Sequence, residues 1–196
     1  MKVLNKIAVA TLILGVMATP AMADGFYGAL DFGQAKGKDA CTGAGALGVV
    51  GCKDTSSAYR IGGGYQFTPM WGAEISYGDY GSASLGSFMG TPLGDWEISG
   101  IQISGTGTFP LGAGFDLIGK LGIARTKVEL TYSPAIGGGS DSDTSTKLAA
   151  GIGAQYNVSQ NVAIRAQYED LGKVGDDATT GTSKVTLLTA GVVFKF

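Results

Sequence analysis

Histidine is absent from this sequence of 196 residues, and cysteine occurs only twice. Without an imidazole, no Ser-His or Asp-His pair can supply the general base that many hydrolases use. No two carboxylates lie at a recognisable spacing beside a candidate nucleophile either. We therefore expect no enzymatic activity, no catalytic residue and no cofactor.

Basic clusters are also missing, and the formal net charge is −2. Nucleic acid is therefore not an expected partner. Beyond the first residues, no segment is continuously apolar for the ~18 residues that a transmembrane helix requires.

The N-terminus has the pattern of an export signal. Lys2 and Lys6 precede an apolar run at residues 7–17, and small residues follow at Ala21 and Ala23. A signal peptidase cleaves after such a pattern. We expect residues 1–23 to be a cleaved signal peptide and the remainder, 24–196, to be one exported domain.

The two cysteines, Cys41 and Cys52, lie in a Gly-rich polar stretch. In an exported chain such a pair is typical of a loop disulfide. A zinc site is disfavoured, because there is no histidine and no third ligand nearby. The sequence therefore predicts a Cys41–Cys52 disulfide and no metal.

Most of the remaining chain alternates between apolar and other residues with a period of two, which indicates β-strands. In two segments the alternation changes phase, near Ser99 and Gly100 and again near Arg125 to Val128. The first change predicts either a β-bulge or the point where the strand leaves a membrane. The eight predicted strands are at about 25–35, 57–67, 71–81, 96–109, 115–128, 147–156, 162–169 and 188–196.

The predicted connections alternate in length. An even number of ~10-residue strands, with short turns at one end and long loops at the other, is typical of an outer-membrane barrel. The short connections are 68–70, 110–114 and 157–161, and the long ones are 36–56, 82–95, 133–146 and 172–183.

The two faces of the strands differ in charge. One face is almost free of charge and carries aromatic residues near the strand ends, which suits a lipid-facing surface with aromatic girdles. These aromatics are Phe26, Phe67, Trp71, Phe109, Phe115, Tyr156 and Tyr168. The opposite face therefore lines the lumen, where we predict a charge network of Asp31, Arg60, Glu74, Lys120, Arg165 and Glu169, with Gln66, Gln102, Gln155 and Gln167.

Two functions for this lumen stay open. The charges can pair into a plug that fills the barrel, since an eight-stranded interior holds little more than its own side chains. Alternatively, Glu74 switches partners between Lys120 and Arg60 or Arg165 and gates a narrow pore.

The polar loops offer a third function, adhesion to a ligand outside the cell. Lys36, Lys38 and Lys53 surround the expected disulfide. Other loops are acidic through Asp141, Asp143, Asp176 and Asp177.

Several short segments, in this order and spacing, resemble the OmpA-type family of eight-stranded outer-membrane proteins. They are GFYG at 25–28, GYQFTP at 64–69, GAEISY at 72–77, GIGAQY at 151–156, RAQY at 165–168 and FKF at 194–196. The resemblance implies that the outer-membrane assembly machinery reads the last strand through Leu188, Ala190, Val192, Phe194 and Phe196. Larger members carry a separate peptidoglycan-binding domain, which we do not expect here because the sequence stops at the eighth strand.

Together these features predict an all-β fold, a closed eight-stranded antiparallel up-and-down transmembrane β-barrel. We expect a structural protein of the bacterial outer membrane, with a largely plugged lumen and four long extracellular loops. Its partners would be outer-membrane lipid, lipopolysaccharide and the assembly machinery. We expect a monomer with both mature termini in the periplasm.

Overall fold

The computed structural model describes residues 25–38, 49–51, 53–134, 137–174 and 183–196. The predicted signal peptide at 1–23 and the predicted disulfide between Cys41 and Cys52 lie outside the described residues. Among the described residues, no helix is long and apolar enough to span a membrane.

The described residues form eleven β-strands. They are β1 (Gly25–Lys38), β2 (Val49–Val50), β3 (Thr55–Gln66), β4 (Trp71–Ser84), β5 (Ser87–Phe88), β6 (Thr91–Pro92), β7 (Gly94–Gly112), β8 (Phe115–Tyr132), β9 (Gly139–Asn157), β10 (Val162–Val174) and β11 (Ser183–Lys195). The eight longer strands close an antiparallel barrel, in which β1 pairs with both β3 and β11. The predicted fold class is therefore confirmed. The two-residue strands β2, β5 and β6 form a separate small sheet.

The barrel exposes apolar side chains and buries polar ones over most of its height. On β7, Ile101 and Ile103 point outward, whereas Gln102 and Ser104 are buried inside. Successive residues of a strand point to opposite faces, so one alternating sequence produces both surfaces. The predicted assignment of faces matches this arrangement in all eight strands.

Aromatic rings border the apolar surface at the end with the short turns. The Phe26 and Tyr65 ring centroids are 4.8 Å apart, and those of Phe115 and Tyr156 are 4.7 Å apart. Phe67, Trp71 and Phe109 are also exposed at this end, and exposed Tyr168 lies near the opposite border. This placement is typical of interfacial aromatic girdles.

At the long-loop end the apolar surface stops in every strand. The last outward apolar residues are cross-strand pairs: Phe32 with Tyr59, Tyr77 with Ile101, Ile123 with Leu148, and Tyr168 with Leu188. On each strand, the next outward position toward the long-loop end is polar. These eight residues are Gln34, Ser57, Asp79, Ser99, Arg125, Thr146, Asp170 and Thr186. We call these eight positions the polar row, the barrel on the short-turn side of them the band section, and the barrel beyond them the distal section.

In the distal section the interior becomes apolar. A cluster of buried side chains lies there and includes Tyr80, Trp96, Ile98, Val128, Leu130, Leu171, Val185 and Leu187. The outward positions there are polar, for example Glu97 and Lys127. The chemistry of the two faces is thus exchanged across the polar row on most strands, whereas β9 is polar on both faces there.

This exchange accounts for the two predicted changes of phase. The β7–β8 register runs without a shift from Gly94↔Tyr132 to Pro110↔Asp116, so a bulge at Ser99 and Gly100 is wrong. The alternative, that the strand leaves the apolar surface there, fits the structure. The irregularity lies on the neighbouring strand instead, between Asp79 and Ser82 of β4, where Gly81 has a φ of 80°.

The strands reach further into the predicted long connections than expected. The predicted loop at 133–146 is largely wrong, because β9 begins at Gly139 and pairs with the end of β8. Similarly, β1 continues to Lys38, β4 to Ser84 and β10 to Val174. These extensions build the wall of the distal section.

Candidate functional site in the barrel interior

Six charged side chains meet inside the band section. Five strands supply them: β1 (Asp31), β3 (Arg60), β4 (Glu74), β8 (Lys120) and β10 (Arg165 and Glu169). All six residues are at most 5% exposed. They are the six charges that the strand pattern assigned to the lumen.

Arg165 joins two of the carboxylates. Its Nε and Nη2 donate to Asp31 Oδ1 and Oδ2 at 2.9 and 2.7 Å. Its Nη1 donates to Glu74 Oε2 at 2.7 Å. The planar guanidinium provides this fork of donors, which holds the Asp31 carboxylate at two points.

The remaining contacts close a ring. Lys120 Nζ lies 2.7 Å from Glu74 Oε1 and 3.3 Å from Glu169 Oε1. Arg60 Nη1 lies 2.6 Å from Glu169 Oε1, and Arg60 Nε lies 3.2 Å from Asp31 Oδ2. Cations and anions therefore alternate around the ring, and each has two partners of opposite sign. We call these six residues the charge ring.

Neutral side chains bind most of the remaining oxygens and donors of the charge ring. The Tyr27 hydroxyl donates to Glu74 Oε2 at 3.1 Å, and Gln102 Nε2 donates to Glu169 Oε2 at 3.0 Å. Arg60 Nη2 donates to Gln167 Oε1 at 2.7 Å. Tyr27 was not predicted as part of the network, although it shares the inward face of β1 with Asp31, four residues away.

Two glycines leave room for the carboxylates. A Cβ at Gly191 would overlap the Asp31 carboxylate, and a Cβ at Gly151 would overlap the Glu169 side chain. Both glycines lie directly across the ladder from these residues. Their lack of a side chain gives the large acidic side chains space in a narrow interior.

The charge ring has a definite energetic role. Removing charges from water is costly, and the ring is tolerated because each charge has two opposite partners and further hydrogen bonds. Deleting one member leaves its partners buried and incompletely paired, which costs far more than an exposed ion pair contributes. The interior is therefore held together as a unit.

A cavity of about 530 Å³ lies between the charge ring and the short-turn end. Glu74 and Arg165 line its inner end, and Gln66, Pro69 and Phe196 line its mouth. Lys195 also lines it, and its Nζ donates to Asn157 Oδ1 at 2.7 Å. On the other side of the ring, the buried apolar cluster of the distal section lies in the interior.

The gated-pore hypothesis has Glu74 exchange Lys120 for Arg60 or Arg165 as its partner. Glu74 binds Lys120 and Arg165 at the same time. Arg60 is bound to Asp31 and Glu169 instead. Among the described residues, no cluster of three or more His, Cys, Asp or Glu side chains could hold a metal ion.

The last strand presents its predicted assembly residues to the outside. Leu188, Ala190, Phe194 and Phe196 are exposed, and Val192 shares their face. The backbone N–H of Phe196 donates to the carbonyl of Phe26 at 2.9 Å. The two ends of the described barrel thus meet at the short-turn end.

An exposed ion pair bridges β10 and β11 at the polar row, where Lys184 Nζ lies 2.6 Å from Asp170 Oδ2. Partial burial opposes ionisation of Asp170, but hydrogen bonds from Lys184 and from the Gly172 backbone N–H outweigh it and hold the Asp170 pKa below its usual range. An ionised Asp170 is compatible with an outward position that faces water. The outward positions of the band section, by comparison, are apolar.

The sequence matches a family model, described as the OmpA-like transmembrane domain, over residues 21–196. Outer membrane protein P5 of Haemophilus influenzae is 27% identical over 192 residues, which cover 88% of this chain and 53% of that protein. Outer membrane protein A of Serratia marcescens is 26% identical over 136 residues, which cover 68% of this chain and 37% of that protein. The chain spans about half the length, or less, of these relatives.

Solved structures share the fold. Neisserial surface protein A has a TM-score of 0.60 at 19% identity, with 91% of this chain and 100% of that chain covered. Ail, the attachment invasion locus protein of Yersinia pestis, has a TM-score of 0.54 at 21% identity, with 88% and 99% covered. The family match, the closed barrel and its apolar outer surface agree, and the chain belongs to the family of OmpA-like transmembrane domains, β-barrels of the bacterial outer membrane.

Proposed function

We propose that this protein is a structural, non-catalytic outer-membrane barrel whose lumen does not conduct. The charge ring carries this proposal, because its six side chains bind one another across the full width of the interior. An ion that crosses the barrel would have to separate buried charges from their partners. That separation is costly wherever water cannot replace the lost contacts.

A second barrier lies in series with the ring. The distal section is filled by apolar side chains, among them Tyr80, Leu171 and Leu187, which are at most 1% exposed. Apolar constrictions in channels stop ions by excluding water. Opening the charge ring alone would therefore leave the path closed.

The proposed orientation follows from the two ends of the barrel. In bacterial outer-membrane barrels the short turns are periplasmic and the longer loops are extracellular. Both ends of the described barrel, Gly25 and Phe196, lie at the short-turn end. We place both mature termini in the periplasm and the distal section outside the cell, in a monomer surrounded by lipid and lipopolysaccharide, with the last strand contacting the assembly machinery.

A gated pore of low conductance is the second candidate. The cavity of about 530 Å³ favours it, because the part of the lumen nearest the short turns already has a polar lining and reaches Glu74 and Arg165. In a pore of this kind the charge ring would be the only gate. Removing Glu74 or Lys120 would then raise conductance.

Conductance in planar bilayers separates the two candidates. We expect no conductance above baseline for the refolded wild type, for Glu74→Ala or for Lys120→Ala, because the apolar cluster still closes the path. Asp116→Ala is the matched control, since Asp116 lines the cavity outside the charge ring. Conductance that rises in Glu74→Ala and Lys120→Ala but not in Asp116→Ala would establish the gated pore and overturn the sealed barrel. Heat-dependent electrophoretic mobility checks that each variant is folded.

A further inference from the structure

One backbone edge in the distal section has no partner strand among the described residues. The pairing of β9 with β10 stops at Ala150↔Asp170, whereas β9 continues to Gly139. Gly172 of β10 still lies close to Lys147 and Leu148. Residues 139–146, which we call the β9 edge, lie beyond that contact, and within the described part of the chain they pair with β8 alone.

The β9 edge pairs regularly with β8. Its register with β8 continues from Phe115↔Tyr156 to Tyr132↔Gly139 without a shift. Proteins usually protect such edges with charged side chains, above all lysine, or with proline, a bulge or a very short strand. The β9 edge, GSDSDTST, has no lysine, proline or bulge, and the first lysine, Lys147, comes only where β9 meets Gly172. Its two charges, Asp141 and Asp143, lie on the inward face and disfavour an added strand that does not place basic residues opposite them. Its N–H and C=O groups can therefore pair with an extended chain of matching charge.

The side chains of the β9 edge differ between its two faces. Asp141 and Asp143 share the face of their β8 partners Leu130 and Val128. The Tyr132 hydroxyl is 3.3 Å from Asp141 Oδ2, and neither aspartate has an ion pair within the described part of the chain. The opposite face carries only hydroxyl side chains: Ser140, Ser142, Thr144 and Thr146.

This pattern selects the chemistry of a partner. In an added antiparallel strand, residues directly opposite Asp141 and Asp143 would lie two apart, and opposite charges across a ladder stabilise the pairing. We propose that the β9 edge binds an extended polypeptide of another protein by β-strand addition, with Lys or Arg at alternate positions and polar residues between them. This surface is independent of whether the lumen conducts.

Two other occupants are disfavoured by charge. A second copy of the chain, paired in register, would bring its own Asp141 and Asp143 against the same residues, and like charges opposite each other destabilise a ladder. The neighbouring segment of this chain, residues 175–182, contains Asp176 and Asp177 and no basic residue. A basic partner is the one that the charges of the edge favour.

Three labelled peptides, each long enough to pair with residues 139–146, test the proposal on the full chain in zwitterionic nanodiscs. The first alternates Lys and Thr, the second has the same composition in Lys-Lys-Thr-Thr blocks, and the third is the alternating peptide with every second amide N-methylated. Empty nanodiscs report binding to lipid. We expect the alternating peptide to bind at least about tenfold more tightly than the other two. Only this peptide can both form the backbone hydrogen bonds of an added strand and place lysines opposite Asp141 and Asp143.

Hydrogen exchange and two matched protein variants locate the binding. The alternating peptide should slow amide exchange within residues 139–146. Asp141→Asn with Asp143→Asn should weaken binding about fivefold, whereas Asp95→Asn with Glu97→Gln, which removes the same charge from β7, should not. Equal binding of all three peptides, equal effects of the two double variants, or residues 139–146 already protected without peptide would each overturn the proposal.

Discussion

Ile103 and Glu97 both point outward from β7, only six residues apart, yet they lie in opposite environments. Ile103 belongs to the apolar surface of the band section, behind which the charge ring lies in the interior. Glu97 belongs to the polar surface of the distal section, behind which Trp96 and Ile98 are buried. The same strand thus serves first as a membrane wall and then as the wall of a water-exposed domain.

The difference shows how the solvent determines the use of one alternating sequence. In hydrocarbon the outward face must be apolar, so the polar side chains turn inward and must satisfy one another. In water the outward face is polar, and the hydrophobic effect fills the interior with apolar side chains. The band section is consequently held together by charge pairing and the distal section by apolar packing.

The largest effect is expected from breaking the charge ring at Arg165, because Asp31 and Glu74 then keep only one cation each. Arg165→Met should lower the free energy of unfolding by ~3–5 kcal/mol, measured by urea titration in lipid vesicles. The double variant Arg165→Met with Glu74→Gln restores neutrality. It should be more stable than the sum of the two single losses implies, by at least ~1 kcal/mol. Strictly additive losses would show that the ring is not a coupled unit.

A somewhat smaller effect is expected from the distal section, where two adjacent leucines provide a matched pair. Leu187 is buried in the apolar cluster, and Leu188 is 61% exposed on the outer surface. Leu187→Ala should cost ~2–5 kcal/mol, because it leaves a cavity in a packed interior. Leu188→Ala should cost less, since acyl chains can fill the space. The same urea titration compares them, and equal losses would mean that the distal interior is not packed as a core.

The membership of the charge ring was predictable from the sequence, but its connections were not. A period of two assigns Asp31, Arg60 and the other four charges to one face. Which cation contacts which carboxylate depends on the register of strands far apart in sequence, such as β1 and β10. The space that Gly151 and Gly191 leave for Glu169 and Asp31 depends in the same way on the pairing of β9 with β10 and of β11 with β1.

The distal section shows a different limit of sequence reasoning. Trp96, Ile98, Val128 and Leu130 occupy the inward positions of an unbroken alternation. The alternation pattern alone cannot distinguish two cases. In one, a bulge turns the apolar residues to the other face of the strand; in the other, a regular strand passes from lipid into water. The polar, Ser- and Asp-rich start of β9 was predicted as a loop for a related reason. Its strand form comes from pairing with β8 rather than from its own β-propensity.

The exchange of faces across the polar row can be measured directly on β7. Nitroxide labels are placed singly at positions 97, 99, 101 and 103, with Cys41 and Cys52 replaced by serine, and collisions with oxygen and with a water-soluble nickel complex are compared in lipid vesicles. We expect oxygen to dominate at 101 and 103 and nickel to dominate at 97 and 99. Lipid-like accessibility at all four positions, or labels at 97 and 99 that neither reagent reaches, would contradict an unbroken strand that passes from membrane to water.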